Sequence, residues 1–211
     1  MEYIHSDLAG PIDPVAKESF RYSMNFVDDY SGFIFIYFLK NKSDAVAALE
    51  KFLADSAPYG TVKCLRSDNG GEYVSNSFES VLMKNKIRHE KSCPNSPHQN
   101  GTAERTWRSI FEMARCILIE SKLPKQLWTY AAMASAHIRN RCYSQRTEET
   151  PYFLVKDQIS VSYIFLVQDV LHTNITLRNL TIGVKREFLL AMIRTVQLTL
   201  FTMVILFQNI V

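Results

Sequence analysis

The sequence predicts an α/β domain: a mixed five-stranded sheet flanked by helices. Three observations predict it. Apolar segments run in the order β-β-β-α-β-α-β-α-α, which builds a layered sheet with helices rather than a bundle or a sandwich. The strand segments are rich in aromatic and β-branched residues and end at Gly, Pro or Asn. Hydrophobic residues make up 47% of 211 and charged residues 21%, enough for one sizeable core and too apolar for a disordered chain.

Residues 1–8 (M-E-Y-I-H-S-D-L) alternate like a short strand, and Gly10–Pro11 breaks it. Residues 20–29 read as a second strand. A turn at Tyr30–Ser31–Gly32 leads to a third, F-I-F-I-Y-F-L over 33–39, whose unbroken apolar run predicts burial on both faces. Ser43 is a candidate N-cap for a helix over 44–56, with Val46, Leu49, Phe52 and Leu53 at helical spacing. Pro58–Tyr59–Gly60 ends that helix. T-V-K-C-L-R over 61–66 is a fourth strand, and Asp68 follows at its C-terminal end.

A short helix over 76–85 and a fifth strand over 87–91 come next, then a polar, Pro-rich loop over 93–99. A long helix starts near 100–102. Its stripe of Ala103, Trp107, Ile110, Ala114, Ile117 and Leu118 keeps the 3.6-residue period. Glu104 lies in the first turn, off that stripe. Leu123–Pro124 breaks the helix, and residues 125–141 form another. Trp107 and Trp128 sit at apolar helical positions and are expected in the core.

The totals exclude several classes. A net charge of +3 permits nucleic acid as a partner without arguing for it. Cys64, Cys93, Cys116 and Cys142 form no C-x-x-C pair, and no matched His pair accompanies them. That argues against zinc and for reduced thiols in a nuclear or cytoplasmic setting. No N-terminal apolar run suggests a signal peptide, and the start reads as a fragment boundary.

The chemistry-bearing stretch begins R-S-D-N-G-G-E-Y (66–73) and ends S-P-H-Q-N-G-T-A-E-R (96–105). Asp68 and Glu104 stand with 35 residues between them, and Asp7 lies upstream in H-S-D-L-A-G-P. Taken singly, D-N-G-G is a turn signal, Glu104 suits the helix dipole, and Asp7 is a solvated acid at a strand end. Taken together, two strand ends and a helix start are where α/β sheets assemble sites. Three converging carboxylates call for a hard cation, Mg²⁺ or Mn²⁺, and two such ions about 3.5–4 Å apart are a known arrangement. Arg105, Arg108 and Arg115 lie on the long helix, with Arg108 and Arg115 seven residues apart on one face. They read either as a solvated face or as a phosphate track.

Five motifs in order, H-S-D-L-A-G-P, V-D-D-Y-S-G, L-R-S-D-N-G-G-E-Y, C-P-N-S-P-H-Q-N-G-T-A-E-R and T-P-Y, resemble the integrase catalytic core of copia-type LTR retrotransposon Pol polyproteins. The match covers about residues 1–164. It implies an RNase H-like fold and an Asp7, Asp68 and Glu104 triad binding two Mg²⁺ or Mn²⁺ ions. It implies DNA integration by polynucleotidyl transfer: 3′-end processing, then strand transfer. It further implies DNA contacts from Asn69, His98, Gln99, Asn100, Arg105, Arg108 and Arg115, and a homo-oligomer as the active form. An inactive nucleic-acid-binding remnant of a decayed element, or an RNase H-type nuclease, are the alternatives.

The chain departs from that family in three ways. The family's upstream His/Cys zinc-binding motif does not occur among these residues. Many relatives carry K-N-R after the catalytic Glu, where this chain has Thr106-Trp107-Arg108. Residues 165–211 do not look like the family at all. Over 177–192 (L-R-N-L-T-I-G-V-K-R-E-F-L-L-A-M), starting codons one nucleotide earlier permits L-K-K-F-D-D-R-S-K-K-G-I-F-V-G-Y, which is family-like. A frameshift near Ile164 is therefore expected, leaving a non-family tail. Within it, residues 195–211 carry no charge but, at seventeen residues with several Thr and Gln, are marginal as a membrane span, so no membrane partner is expected.

Overall fold

Strand β1 (Tyr3–Ala9) follows from the alternating start of the chain, and it lies at the middle of the sheet. The computed structural model describes residues 1–92 and 101–156. Strands β2 (Tyr22–Asp28), β3 (Ile34–Leu39), β4 (Cys64–Ser67) and β5 (Arg88–Lys91) complete a sheet of order β3-β2-β1-β4-β5. The β1–β2 and β2–β3 pairs are antiparallel hairpin neighbours; β1–β4 and β4–β5 are parallel. The sheet is mixed and five-stranded, as the sequence predicts, and the fold is RNase H-like.

Helices cover both faces. Helices α1 (Ala45–Ser56) and α2 (Asn76–Lys84) lie on one side, where Phe26, Phe35, Phe52, Leu49, Leu65 and Phe78 share a core. Helices α3 (Gly101–Glu120) and α4 (Trp128–Arg141) cover the other, around Val27, Ile34, Ile110, Ala114 and Trp128. Successive strand residues alternate between the two cores, so Phe35, Tyr37 and Leu39 join the first while Ile34 joins the second. Strand β3 is covered on both faces although it is an edge strand, as its apolar run requires.

Several boundaries differ from the sequence reading. Ser43 does not cap α1. A 3₁₀ turn over Lys42–Asp44 precedes the helix, and the Asp44 carboxylate accepts the backbone N–H of Asn41 (2.9 Å) and of Lys40 (3.2 Å). Strand β4 is Cys64–Ser67 rather than 61–66, because its parallel neighbours start later. Trp128 is core, and its indole N–H donates to the Pro14 carbonyl (3.0 Å). Trp107 is only half-buried, stacked on Phe111 at 4.6 Å between ring centres, at the margin of the α3 stripe. Helix α5 (Pro151–Lys156) escaped the sequence reading, although Thr150 followed by Pro is a start signal; the Thr150 hydroxyl accepts the Phe153 N–H at 3.1 Å.

Among the described residues no helix is long and apolar enough to cross a membrane. The 93–99 loop and the tail over 165–211, where a frameshift and a marginal span were expected, lie outside the described residues.

Candidate active site

The site grows from the β1–β4 register. Parallel pairing sets Ile4 beside Leu65 and His5 beside Arg66. Carried two residues on, that register brings Asp7 next to Asp68, on strands about 4.8 Å apart. Asp68 directly follows β4, and its Oδ1 accepts the Gly70 N–H at 3.0 Å, closing the D-N-G-G turn the sequence signals.

The third element arrives through Asn25. It pairs with Asp7 across the β1–β2 ladder and is completely buried. Its Oδ1 accepts the Asp7 backbone N–H (3.0 Å), and its Nδ2 donates to the Ala103 carbonyl (3.1 Å). The first turn of α3 is thereby fastened to the central strand, and Glu104 is the next residue. Glu104 is exposed, whereas Asp7 and Asp68 are half-buried.

Electrostatics report the convergence. The Asp7 carboxyl is pushed up to about 6, first by burial and then by the charges of Asp68 and Glu104, with Glu72 adding a smaller push. Asp7 therefore sits in the field of both other predicted acids. Among the described residues, no three His, Cys, Asp or Glu side chains stand close enough to clasp one ion as placed. The donor set fits a hard dication: it is all carboxylate oxygen, with neither thiolate nor imidazole among the three.

The remaining expected residues fall into three groups. Asn69 is exposed, and its Nδ2 donates to the Ser92 carbonyl at 2.8 Å, so it ties the Asp68 turn to the end of β5. Arg105, Arg108 and Arg115 are all exposed on α3, with the Arg105 guanidinium folded over Gly101. His98, Gln99 and Asn100 lie outside the described residues.

Two residues of the site escaped the sequence reading. Asn25 is one: a polar residue amid the apolar run of β2 is the signal that could have found it. Glu72 is the other. Its side chain is 9% exposed and lies 3.5 Å from Lys42 Nζ. Glu72 Oε1 and Asp68 Oδ1 each lie 3.0 Å from where a Gly70 Cβ would stand, so a side chain there would push on both carboxylates. Beneath the turn, the fully buried Tyr73 hydroxyl lies 2.9 Å from Ser6 Oγ, joining the two acidic motifs through the core. Burial pushes that phenol well above its ordinary range.

Known proteins resemble this chain in sequence and in fold. The family profile "Integrase core domain" matches residues 1–97. The retrovirus-related Pol polyprotein from transposon TNT 1-94 of Nicotiana tabacum is 38% identical over 143 residues, which is 67% of this chain and 11% of that protein. The corresponding polyprotein from transposon RE2 of Arabidopsis thaliana is 34% identical over 144 residues, 67% of this chain and 10% of its own length. The chain thus spans only about a tenth of these relatives. Among solved structures, the simian T-cell lymphotropic virus intasome in complex with the PP2A regulatory subunit B56 gamma matches with a TM-score of 0.61 at 21% identity, over 76% of this chain and 55% of that one. The HTLV-2 integrase catalytic core domain in complex with magnesium matches with a TM-score of 0.57 at 17% identity, over 73% of this chain and 95% of that one. Those two likenesses show the fold. The sequence relatives and the profile together show the family: this chain belongs to the integrase core domains of retrovirus-related, copia-type transposon Pol polyproteins.

Proposed function

We propose that this chain is the catalytic core of an integrase that processes the 3′ ends of an element's DNA and joins them to target DNA. One observation carries the reading: Asp7, on the central strand, feels the charges of Asp68 and Glu104 from two other elements. Asp7, Asp68 and Glu104 would hold two Mg²⁺ or Mn²⁺ ions. Bound there, the ions supply Lewis-acid activation of water or a 3′-hydroxyl and stabilise the leaving 3′-oxygen in an in-line displacement.

The chain's own residues supply position and charge. Asn25 fixes the Asp7 backbone and the first turn of α3 in one register. The exposed Arg105, Arg108 and Arg115 face the phosphate backbone, which gives affinity with little sequence readout. A relative in this fold is known in complex with magnesium and another within an intasome, which supports divalent cations, DNA and further copies of the chain as partners. The compartment that fits DNA ends and targets is the nucleus, reached through the cytoplasm.

Strand transfer of a labelled element-end oligonucleotide into plasmid, in Mg²⁺ or Mn²⁺, tests the reading. Product from wild type that falls at least about 100-fold in Asp68→Asn and Glu104→Gln supports it. Equal product from all three contradicts the triad. DNA binding without transfer fits an inactive remnant, and cleavage of an RNA–DNA hybrid instead fits an RNase H-type nuclease.

A further inference from the structure

Asp68 stands one residue past the last pair of the β4–β5 ladder, Ser67 with Lys91, so its placement depends on something other than strand pairing. A chain of hydrogen bonds, buried at its Ser67 and His89 end, reaches it. Ser67 Oγ donates to the Asp68 carbonyl oxygen at 2.9 Å and lies 2.9 Å from His89 Nε2. His89 Nδ1 lies 3.1 Å from Glu79 Oε1, and Lys91 Nζ lies 2.6 Å from the same oxygen. Ser67 is completely buried and the His89 side chain is 6% exposed. Lys91, then His89, hold the Glu79 carboxyl below its ordinary range.

Ser, His and Glu in this order resemble a nucleophile with its base and orienting acid. That role fails here. The Ser67 hydroxyl has no solvent face, and its oxygen is already held between the Asp68 carbonyl and His89 Nε2, each at 2.9 Å. The chain serves position instead. It runs from α2 through β5 to β4 and ends on the backbone of the acid whose charge acts on Asp7. Neighbouring bonds converge on the same corner: the Ser92 N–H donates to the Ser67 carbonyl at 2.9 Å, and Asn69 donates to Ser92. At its buried end, Ser67 and His89, a paired polar chain favours one geometry, because breaking a link there leaves a desolvated group unpaired.

We propose that Ser67, His89 and Glu79 are positioning residues that hold Asp68 at the angle the reaction needs. The proposal rests on reading Asp68 as a cation ligand. A misplacement of about 1 Å at a reacting centre costs about 100-fold in rate, so such residues act on turnover rather than on substrate binding.

The test uses the full chain and two independent readouts. The first is strand transfer in Mn²⁺. Ser67→Ala and His89→Ala are expected to lower kcat about 10- to 100-fold with KM for DNA within about twofold, and Ser67→Thr, which keeps the hydroxyl, to restore most of it. The second is exchange of the Gly70 amide, which donates to the Asp68 carboxylate and reports its placement without any metal. Exchange is expected to quicken at least about tenfold in Ser67→Ala and His89→Ala and to return toward wild type in Ser67→Thr. His89→Gln and the remote Glu79→Gln serve where an alanine variant fails to fold. Unchanged Gly70 exchange and unchanged kcat in folded variants overturn the proposal. A wild-type chain without metal-dependent transfer refutes the catalytic reading alone, and Gly70 exchange then decides the positioning role by itself.

Discussion

Asn25 Nδ2 donates to the Ala103 carbonyl across 78 residues of chain, at 3.1 Å and in full burial. Its other side-chain atom, Oδ1, accepts the Asp7 N–H. One amide therefore sets the distance between the strand that carries Asp7 and the helix turn that carries Glu104.

Asn25→Ala removes both bonds and leaves the half-buried Asp7 N–H without its partner, while the Ala103 carbonyl keeps its place in the helix ladder. Losing the two bonds costs about 1–3 kcal/mol. The expected outcome is a urea midpoint lowered accordingly. Transfer activity is expected to fall further than the fraction unfolded explains. Activity that tracks the folded fraction alone would show Asn25 to be only a core residue.

Asp7 gives a pH dependence with a definite sign. Its folded-state carboxyl stands at about 6, above the ordinary 3.8, so the native state favours the protonated form. That contribution to stability is full below pH 3.8 and is lost as pH rises through about 6. At pH 7.5, in chelator, Asp7→Asn is expected to melt above wild type by an amount on the order of 1–3 kcal/mol. Adding Mg²⁺ is expected to raise the wild-type melting temperature and leave the variant's unchanged. Thermal melts at pH 4.5 and 7.5 check both halves.

His137 produces the opposite slope. Burial first, and then the Arg141 charge, push its imidazole down from 6.5 to about 4. Arg141 Nη1 lies 3.0 Å from His137 Nδ1, and the guanidinium stacks on Tyr152 of α5 at 4.2 Å. The unfolded chain takes up the proton first, so stability present above pH 6.5 is lost as pH falls toward 4. His137→Gln is expected to flatten that acid limb without changing the melt at pH 8.

Arg108 and Arg115 offer a binding test separate from chemistry. Both are exposed on α3. Replacing either by Ala is expected to weaken DNA binding to a similar degree across unrelated sequences and to reduce the salt-dependence slope by about 1. An unchanged slope would assign them to a solvated helix face.

The sheet, its flanking helices and the helical stripe of α3 were legible because period-2 and period-3.6 patterns are local. The convergence of Asp7, Asp68 and Glu104 was legible only as a layout that strand ends permit. What the sequence hid is long-range. Asn25 finds Ala103, Tyr73 finds Ser6 and Ser67 finds His89 only once the order β3-β2-β1-β4-β5 is set. The α1 start was misread for a nearer reason: a 3₁₀ turn over Lys42–Asp44 begins at Asn41, and the Asp44 carboxylate reaches back to the Asn41 N–H rather than Ser43 capping the helix.

The central claim is that three carboxylates from three elements serve one cation site. Mn²⁺ titration followed by amide NMR tests it most directly, since paramagnetic broadening reports distance from the ion. The amides of Asp7, Asp68 and Glu104 are expected to broaden together at one Mn²⁺ concentration, and Asp68→Asn to raise that concentration at least about tenfold, about 1.4 kcal/mol. Broadening centred elsewhere, or unaltered by Asp68→Asn, would contradict the site.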